Sequence, residues 1–266
     1  MKPISISTLL PFLSAATTVS AGEILWSGLL NESYAVEDFD KWSWSSQTPP
    51  YQWYIHGDSE TSTYLDVSPD YLNPNSTAHA EDNAQGVRIS IDSTSSWNGQ
   101  TMMRSELIPQ IDNTASPTVD LGAGKRFYHF SLSVKEENFP DVSLEHQVGF
   151  FESHFTELKY GGSSDSASKL AWYAGGASQW STDLTAGVWY NFAYAIDFDA
   201  GTVALYTSTG GEDLKLVVEA VSADAQSNSQ DWHVGQLRLD NGQEGGKEDW
   251  YWSGVYVEKG EVTLKV

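Results

Sequence analysis

Short stretches in which apolar and polar side chains alternate recur along this chain and restrict what it can fold into. Residues 86–92, 126–134 and 202–207 alternate with a period of two, and 188–197 is long and rich in aromatic residues. Glycine-containing turns such as 241–246 separate these stretches. Period-two alternation is typical of strands with one buried face, and many short strands with glycine turns are typical of β-sandwiches. The sequence therefore predicts an all-β fold, a jelly-roll β-sandwich.

Two regions depart from this strand pattern. Residues 217–221 form the one short stretch that favours a helix. Residues 43–83 contain few strand-like runs, and loops of this length in a compact domain often have a function. We therefore expect one short helix, together with long N-terminal loops that wall an open cleft.

The first 21 residues are typical of a secretory signal peptide. Lys2 supplies a positive charge, residues 4–16 are mostly apolar, and small residues precede a cleavage site before Gly22. The apolar part is shorter than the ~20 residues that span a bilayer. We therefore expect a secreted, extracellular protein, with a signal peptide at 1–21 and a single β-jelly-roll domain at 22–266.

Charge and cysteine content exclude several classes of protein. The formal charge is −22, from 14 basic and 36 acidic residues. Such a charge repels nucleic acids and anionic membranes, so we expect neither as a partner. The chain has no cysteine, which excludes thiol catalysis, and its six histidines show no metal-site spacing. We expect a monomer that has no cofactor and no metal. The use of the glycosylation sequons at Asn31 and Asn75 stays open.

The first candidate site is Arg104 with Glu106. In a strand these two side chains lie next to each other on one face. An adjacent arginine can orient a carboxylate and keep it ionised, as an acid–base site requires. The alternative is an ordinary ion pair on a solvated sheet.

The second candidate site is the stretch 145–157, which mixes aromatic residues with three glutamates and two histidines. Strict alternation puts Glu145, Gln147, Gly149 and Phe151 on one face, and His146, Val148, Phe150 and Glu152 on the other. The face led by Glu145 suits the floor of a groove, because a glycine leaves room for a ligand. The alternative is a solvated Glu145, with His146 and Glu152 as a buried pair.

Hydrolysis of a glycosidic bond needs two carboxyl groups that flank it, one to protonate the leaving oxygen and one to activate water or attack the sugar. Glu106 and Glu145 lie on separate predicted strands and could face each other across a groove. The chain also has 11 tryptophans, 13 tyrosines and 10 phenylalanines, whose rings can stack on sugars. Candidate platforms are Trp172, Tyr173, Trp180 and Trp232, with His233 as a hydrogen-bonding or acid–base group. Core packing is the alternative for each ring.

Several blocks together resemble glycoside hydrolase family 131, a family of secreted fungal β-glucanases. They include "RSELIPQ" at 104–110, "EHQVGFFESHFTELKYG" at 145–161 and "DWHVGQLRL" at 231–239. The resemblance covers most of the chain after residue 21. It implies a β-jelly-roll fold with an open cleft. It also implies hydrolysis of β-glucans with β-1,3, β-1,6 and β-1,4 linkages, cellulose among them, with inversion.

The same resemblance implies roles for individual residues. A pair of glutamates serves as general acid and base, and it falls on Glu106 and Glu145, with Glu152 as the competing choice for the second. Arg104 and Gln147 are then expected to contact the two carboxylates and to help bind the substrate. A cysteine is expected where Gly149 stands, so the chain departs from the family pattern there.

Two other functions stay open at the level of sequence. The Arg-x-Glu-Leu pattern also occurs in jelly-roll polysaccharide lyases, which need a uronic-acid polymer and a cationic group. The acidity of the chain argues against such a substrate. The other alternative is a non-catalytic glucan-binding protein, which would bind β-glucan without releasing reducing ends.

Overall fold

A computed structural model describes residues 22–43, 45–76, 85–112, 118–163, 167–239 and 245–266. The described chain is nearly all β, and its two antiparallel sheets form a sandwich. The predicted jelly-roll β-sandwich is therefore confirmed. The predicted signal peptide lies outside the described residues.

The described residues contain fifteen strands and two one-turn α-helices. The helices are α1 (Val36–Phe39) and α2 (Thr61–Tyr64). The strands are β1 (Glu23–Ser27), β2 (Tyr51–Ile55), β3 (Leu65–Ser68), β4 (Gly86–Ile91), β5 (Met103–Pro109), β6 (Lys125–Ser133), β7 (His146–Phe151), β8 (Thr156–Tyr160), β9 (Lys169–Ala174), β10 (Ala177–Asp183), β11 (Tyr190–Asp197), β12 (Thr202–Thr209), β13 (Lys215–Ser222), β14 (Trp232–Arg238) and β15 (Glu248–Lys259).

The strands divide between an eight-stranded and a seven-stranded sheet. The eight-stranded sheet has the order β13-β12-β11-β6-β15-β4-β3, and β1 pairs with β15. The seven-stranded sheet has the order β10-β9-β8-β7-β14-β5-β2. Strands β5, β14 and β7, which carry Glu106, His233 and Gln147 respectively, are therefore neighbours although they are far apart in sequence.

Aromatic rings fill much of the space between the sheets. Phe130 on β6 lies 6.0 Å from Trp232 on β14 and 5.7 Å from Trp252 on β15, centroid to centroid. Tyr128 meets Phe151 of the seven-stranded sheet edge to face at 5.1 Å. Buried aromatic rings contribute both large apolar area and favourable edge contacts. This packing stabilises a chain that has no disulfides.

One sequence-based expectation about secondary structure is wrong, and a second holds only in part. Residues 217–221 are not helical but belong to β13, which pairs with β12. Valine is β-branched and favours strands, and pairing with a neighbouring strand decides the outcome. The region 43–83, expected to be mostly loop, contains β2 and β3, which pair with β5 and β4.

A β-bulge at Gly149 breaks the alternation of β7. Val148 and Phe151 both belong to the core, although strict alternation puts them on opposite faces. Gly149 has a φ of 58°, and the register between β7 and β14 shifts between His233 and Gln236. An extra residue at a bulge moves every later side chain to the other face. The predicted grouping of Gly149 and Phe151 with Glu145 is therefore wrong.

Replacing Gly149 by alanine tests the importance of this bulge. A new Cβ would lie 3.3 Å from the Phe130 ring in a backbone conformation unfavourable for L-residues. We expect a loss of about 1–3 kcal/mol in the free energy of unfolding, measured by urea denaturation. Gly176→Ala is the matched control, because Gly176 also has positive φ but nothing lies within 4 Å of its Cβ position. Equal losses in both variants would contradict the role of the packed bulge.

Candidate active site

Glu106 and Arg104 form a buried ion pair on β5. The guanidinium donates to both carboxylate oxygens, from Nε at 2.6 Å and from Nη2 at 2.8 Å. Glu106 is fully buried and Arg104 is 6% exposed. The prediction that these side chains lie together on one face is confirmed. A bidentate pair of this kind fixes the direction of the carboxylate.

His233 on β14 connects this pair to Glu152, the residue after β7. Its Nδ1 lies 2.5 Å from Glu106 Oε2, and its Nε2 lies 3.0 Å from Glu152 Oε2. His233 is buried, whereas 66% of the Glu152 side chain is exposed. The Phe150 ring stacks on the imidazole at 4.5 Å with an interplanar angle of 3°. The bulge at Gly149 makes this possible, because it turns Phe150 away from the core.

The charges of Glu106, His233 and Glu152 shift one another's pKa values. Burial raises the pKa of Glu106, but the charge and hydrogen bond of His233, together with Arg104, outweigh it and leave this pKa below its ordinary value. Burial lowers the pKa of His233, but the Glu106 carboxylate and both hydrogen bonds outweigh it and raise this pKa overall. The hydrogen bond from His233 lowers the pKa of Glu152. The two carboxylates on either side of His233 therefore favour its protonated, imidazolium form.

This arrangement predicts a pH-dependent contribution to stability. Because folding raises the pKa of His233 above 6.5, its stabilising effect is complete below that pH and disappears as pH rises through the folded pKa. We expect the wild type's stability advantage over His233→Gln to shrink as the pH rises above the ordinary pKa of histidine and through the raised pKa of the folded state. Urea unfolding at a series of pH values measures this difference. An advantage that stays level or grows with pH would contradict the assignment.

Glu145 lies on the same face of the sheet but at a distance from Glu106. Lys159 Nζ contacts Glu145 at 3.1 Å and Glu157 at 3.4 Å, and Glu157 contacts His154, which stacks on Phe150. We call this surface, from Glu106 through Phe150 to Lys159, the site face.

The strand register gives the separation of the two predicted glutamates. Glu106 is opposite Gly235 on β14, whereas the Glu145 carbonyl bonds to the Leu239 amide. Their backbones are therefore about 13 Å apart along the strands and about 10 Å apart across them. The structure brings Glu106 together with Arg104 and His233, and it places Glu145 with Gln147, whose amide donates to it at 3.0 Å.

Three predicted sugar platforms pack in the core instead. Trp172 is fully buried, and its indole N–H donates to Thr156 Oγ1 at 2.8 Å. Trp180 packs edge to face on Phe192 of the other sheet at 6.0 Å. Trp232 is also buried between the sheets. The assignments of Trp172, Trp180 and Trp232 to substrate binding are corrected accordingly, because these rings point inward.

Tyr173 alternates with Trp172 and points the other way, onto the site face. Lys159 Nζ lies 5.2 Å from its ring centroid. Tyr173, Glu145 and both Lys159 and Lys169 line a cavity of about 240 Å³. Of the predicted platforms, Tyr173 is therefore the one that the structure places near a predicted glutamate.

Sequence reasoning missed two aromatic rings beside Arg104. Trp97 lies under the guanidinium at 5.5 Å, and Tyr54 lies 6.0 Å from Trp97. Both rings are half-buried. The Asn98-Gly99 pair in the sequence could have predicted this contact, because Asn-Gly is typical of a tight turn. The turn reverses the chain, so that Ser96 pairs with Met103. The turn therefore brings Trp97 next to the start of β5.

The described residues contain no group of three or more histidine, cysteine or acidic side chains placed to hold a metal ion. Among the same residues, no helix has the length and apolarity needed to cross a membrane. The Asp197 carboxylate, in the Asp-x-Asp sequence at the β11–β12 turn, accepts a hydrogen bond from the Ala200 amide at 2.9 Å.

The chemistry that the candidate active site can perform is proton transfer at an exposed carboxylate, next to aromatic rings that can hold a polyhydroxylated ligand.

Comparisons with known proteins agree with this geometry. A family model described as the glycoside hydrolase 131 catalytic N-terminal domain matches residues 24–263. The crystal structure of a family 131 catalytic domain from Coprinopsis cinerea is 50% identical, covers 92% of this chain and 98% of that chain, and has a TM-score of 0.84. A family 131 β-glucanase catalytic domain from Podospora anserina is 48% identical, with coverages of 92% and 99% and a TM-score of 0.83. A search of curated protein sequences finds no significant match. The chain belongs to glycoside hydrolase family 131.

Proposed function

We propose that this protein is a secreted β-glucanase that hydrolyses β-1,3, β-1,6 and β-1,4 linkages. The observation that carries the proposal is the contact of one imidazole with two glutamates, one buried and one exposed, on an aromatic-lined face. Family membership supports hydrolysis of a glycosidic bond, and the Podospora anserina relative is a β-glucanase. Acid–base catalysis by two carboxyl groups is the usual chemistry of such enzymes.

We propose that Glu152 is the catalytic base and His233 the catalytic acid, with the buried Glu106 positioning His233 and maintaining its charge, in place of the pair Glu106 and Glu145. Glu152 is ionised and exposed, so it suits the base that activates water. His233, whose charge Glu106 maintains, supplies the proton for the leaving oxygen. The Glu152 side chain lies beyond the end of β7 and swings away from His233 when substrate enters between them. Hydrogen bonds in a substrate-free site commonly rearrange in this way.

Inversion of the anomeric centre is part of the proposal. The resemblance to family 131 implies inversion, and a base such as Glu152 that activates water, rather than attacking the sugar directly, leads to it. Glu145 lies two strands away from Glu106, beside Gln147, and we propose a different role for it. With Gln147 and Tyr173, it binds sugar units away from the bond that is cleaved.

Product analysis on purified glucans tests the proposed function. The enzyme is incubated with β-1,3-, β-1,6- and β-1,4-glucans, reducing ends are quantified, and NMR follows the first anomer formed. We expect new reducing ends of inverted configuration. Unsaturated, UV-absorbing products from a uronic-acid polymer would identify a lyase. Binding without new reducing ends would identify a non-catalytic protein.

Export and a monomeric state complete the proposal. The sequence of residues 1–21 supports secretion with cleavage before Gly22. N-terminal sequencing of protein from culture medium is expected to begin at Gly22, and light scattering to give a single-chain mass. An uncleaved N-terminus would refute the export proposal, and a dimer mass would refute the monomer.

A further inference from the structure

A second groove lies on the outer face of the eight-stranded sheet, on the side of the sandwich away from the site face. Its volume is about 610 Å³. One wall is the segment 69–76, the floor includes Ser133 and Tyr251, and the far side is Trp189. Ser133 and Tyr251 are paired in register on β6 and β15, and their chain neighbours Leu132, Trp250 and Trp252 point into the core. We call this site the back groove.

The wall of the back groove is held in place by buried hydrogen bonds. Asn73 is 3% exposed, and its Nδ2 donates to Asn191 Oδ1 at 3.0 Å and to the Gly210 carbonyl at 3.3 Å. Its Oδ1 accepts from the Asn75 amide at 3.0 Å. These bonds tie the segment 69–76 to β11 and to the turn after β12. The groove is therefore formed before any ligand arrives, which lowers the entropic cost of binding.

The lining of the back groove combines aromatic rings with polar groups. Trp189 is half-buried, so part of its indole faces the groove. Tyr251 is 6% exposed, with the Tyr71 centroid at 5.2 Å and Lys135 Nζ at 4.2 Å from its own centroid, so the floor offers the ammonium group while Trp189 offers an aromatic ring. Rings of this kind stack on the C–H faces of sugars, while amide, hydroxyl and ammonium groups bind sugar hydroxyls.

We propose that the back groove binds a neutral β-glucan chain. The identity of the polymer rests on the proposed function, whereas the groove is separate from the proposed active site. Asp70 at its rim and the −22 charge of the chain disfavour an anionic polymer. Because the two sites lie on opposite faces of the sandwich, the back groove holds a second stretch of polymer. Two attachments raise the effective concentration of the enzyme at an insoluble glucan.

Trp189→Ala tests this inference in protein made in a host that adds no N-glycans, so that Asn75 carries no sugar. Retention on insoluble β-1,3-glucan and cellulose is measured by depletion, with Glu152→Gln in every sample to prevent hydrolysis. We expect Trp189→Ala to bind about tenfold more weakly, which corresponds to ~1.4 kcal/mol. In the active background, kcat/KM on soluble oligosaccharides should stay unchanged. Val217→Ala removes an exposed apolar side chain elsewhere on the same sheet and is the matched control.

Lys135→Ser is a second, milder variant, because Lys135 is exposed and the change removes only the outer part of its side chain. It should also weaken retention on the insoluble glucan. Unchanged retention in both variants would overturn the proposal, as would an equal loss of activity on soluble and insoluble substrate. If the protein hydrolyses no glucan but its binding to glucan still depends on Trp189, the proposed function is refuted while the proposal for the back groove is supported.

Discussion

Replacing Glu152 by glutamine should lower kcat on β-glucan by about 10²–10⁴-fold, the usual contribution of a general acid or base. Glutamine keeps the size of the side chain and a hydrogen bond to His233, but it cannot take a proton from water. KM should change little, because sugar binding does not depend on that proton. Initial rates of reducing-end release over a range of glucan concentrations measure both constants.

Two controls separate this effect from a general loss of structure. Glu219 lies exposed on β13, far from His233, so Glu219→Gln makes the same charge change without touching the site. Its kcat should equal that of the wild type. The Glu152→Gln variant should also unfold at the wild-type urea concentration or close to it, since most of its side chain is exposed. A Glu152→Gln variant with near wild-type kcat would contradict the assignment.

Glu106→Ala should be the most destabilising change at the site, at about 3–5 kcal/mol. Glu106 is fully buried, and removing it leaves the charges of Arg104 and His233 without their common partner. The loss should appear in urea unfolding and should exceed the loss caused by Glu106→Gln, because glutamine can still hydrogen-bond to both neighbours.

Glu145→Ala is the matched control for this measurement. Glu145 also forms an ion pair, with Lys159 at 3.1 Å, but its side chain is 32% exposed. Ion pairs with this access to water contribute little, so the loss should be within about 1 kcal/mol. If Glu145→Ala cost as much stability as Glu106→Ala, the distinction between a buried centre and a peripheral carboxylate would be wrong.

Local pattern was enough to predict several of the strands, although not β2, β3 or β13, and the adjacent placement of Arg104 and Glu106. Alternation in 86–92 and 126–134 marks β4 and β6 because each buries one face against the other sheet. The same alternation puts Arg104 and Glu106 side by side, since they are two residues apart in one strand. Which residues share one face of a strand depends only on their spacing in the chain, so the sequence alone can predict it.

The second half of the site depends on contacts that local pattern does not contain. Glu152 reaches His233 because β7 pairs with β14, about 80 residues later, and because the bulge at Gly149 turns Phe150 outward. Likewise, alternation separates Trp172 from Tyr173 but does not tell which of the two faces the core. Which side chain faces the core depends on how the sheets pack. The sequence alone therefore could not decide which of Glu145 and Glu152 takes part in catalysis.

Glu152, linked through His233 to Glu106, is the carboxylate that we assign as the catalytic base. The most direct test is to measure kcat and KM of Glu145→Gln and Glu152→Gln side by side on one β-glucan. If this assignment is correct, Glu152→Gln loses at least about 10² in kcat, while Glu145→Gln keeps its kcat within a few-fold and raises KM. A large loss of kcat in Glu145→Gln, with near wild-type kcat in Glu152→Gln, would contradict it.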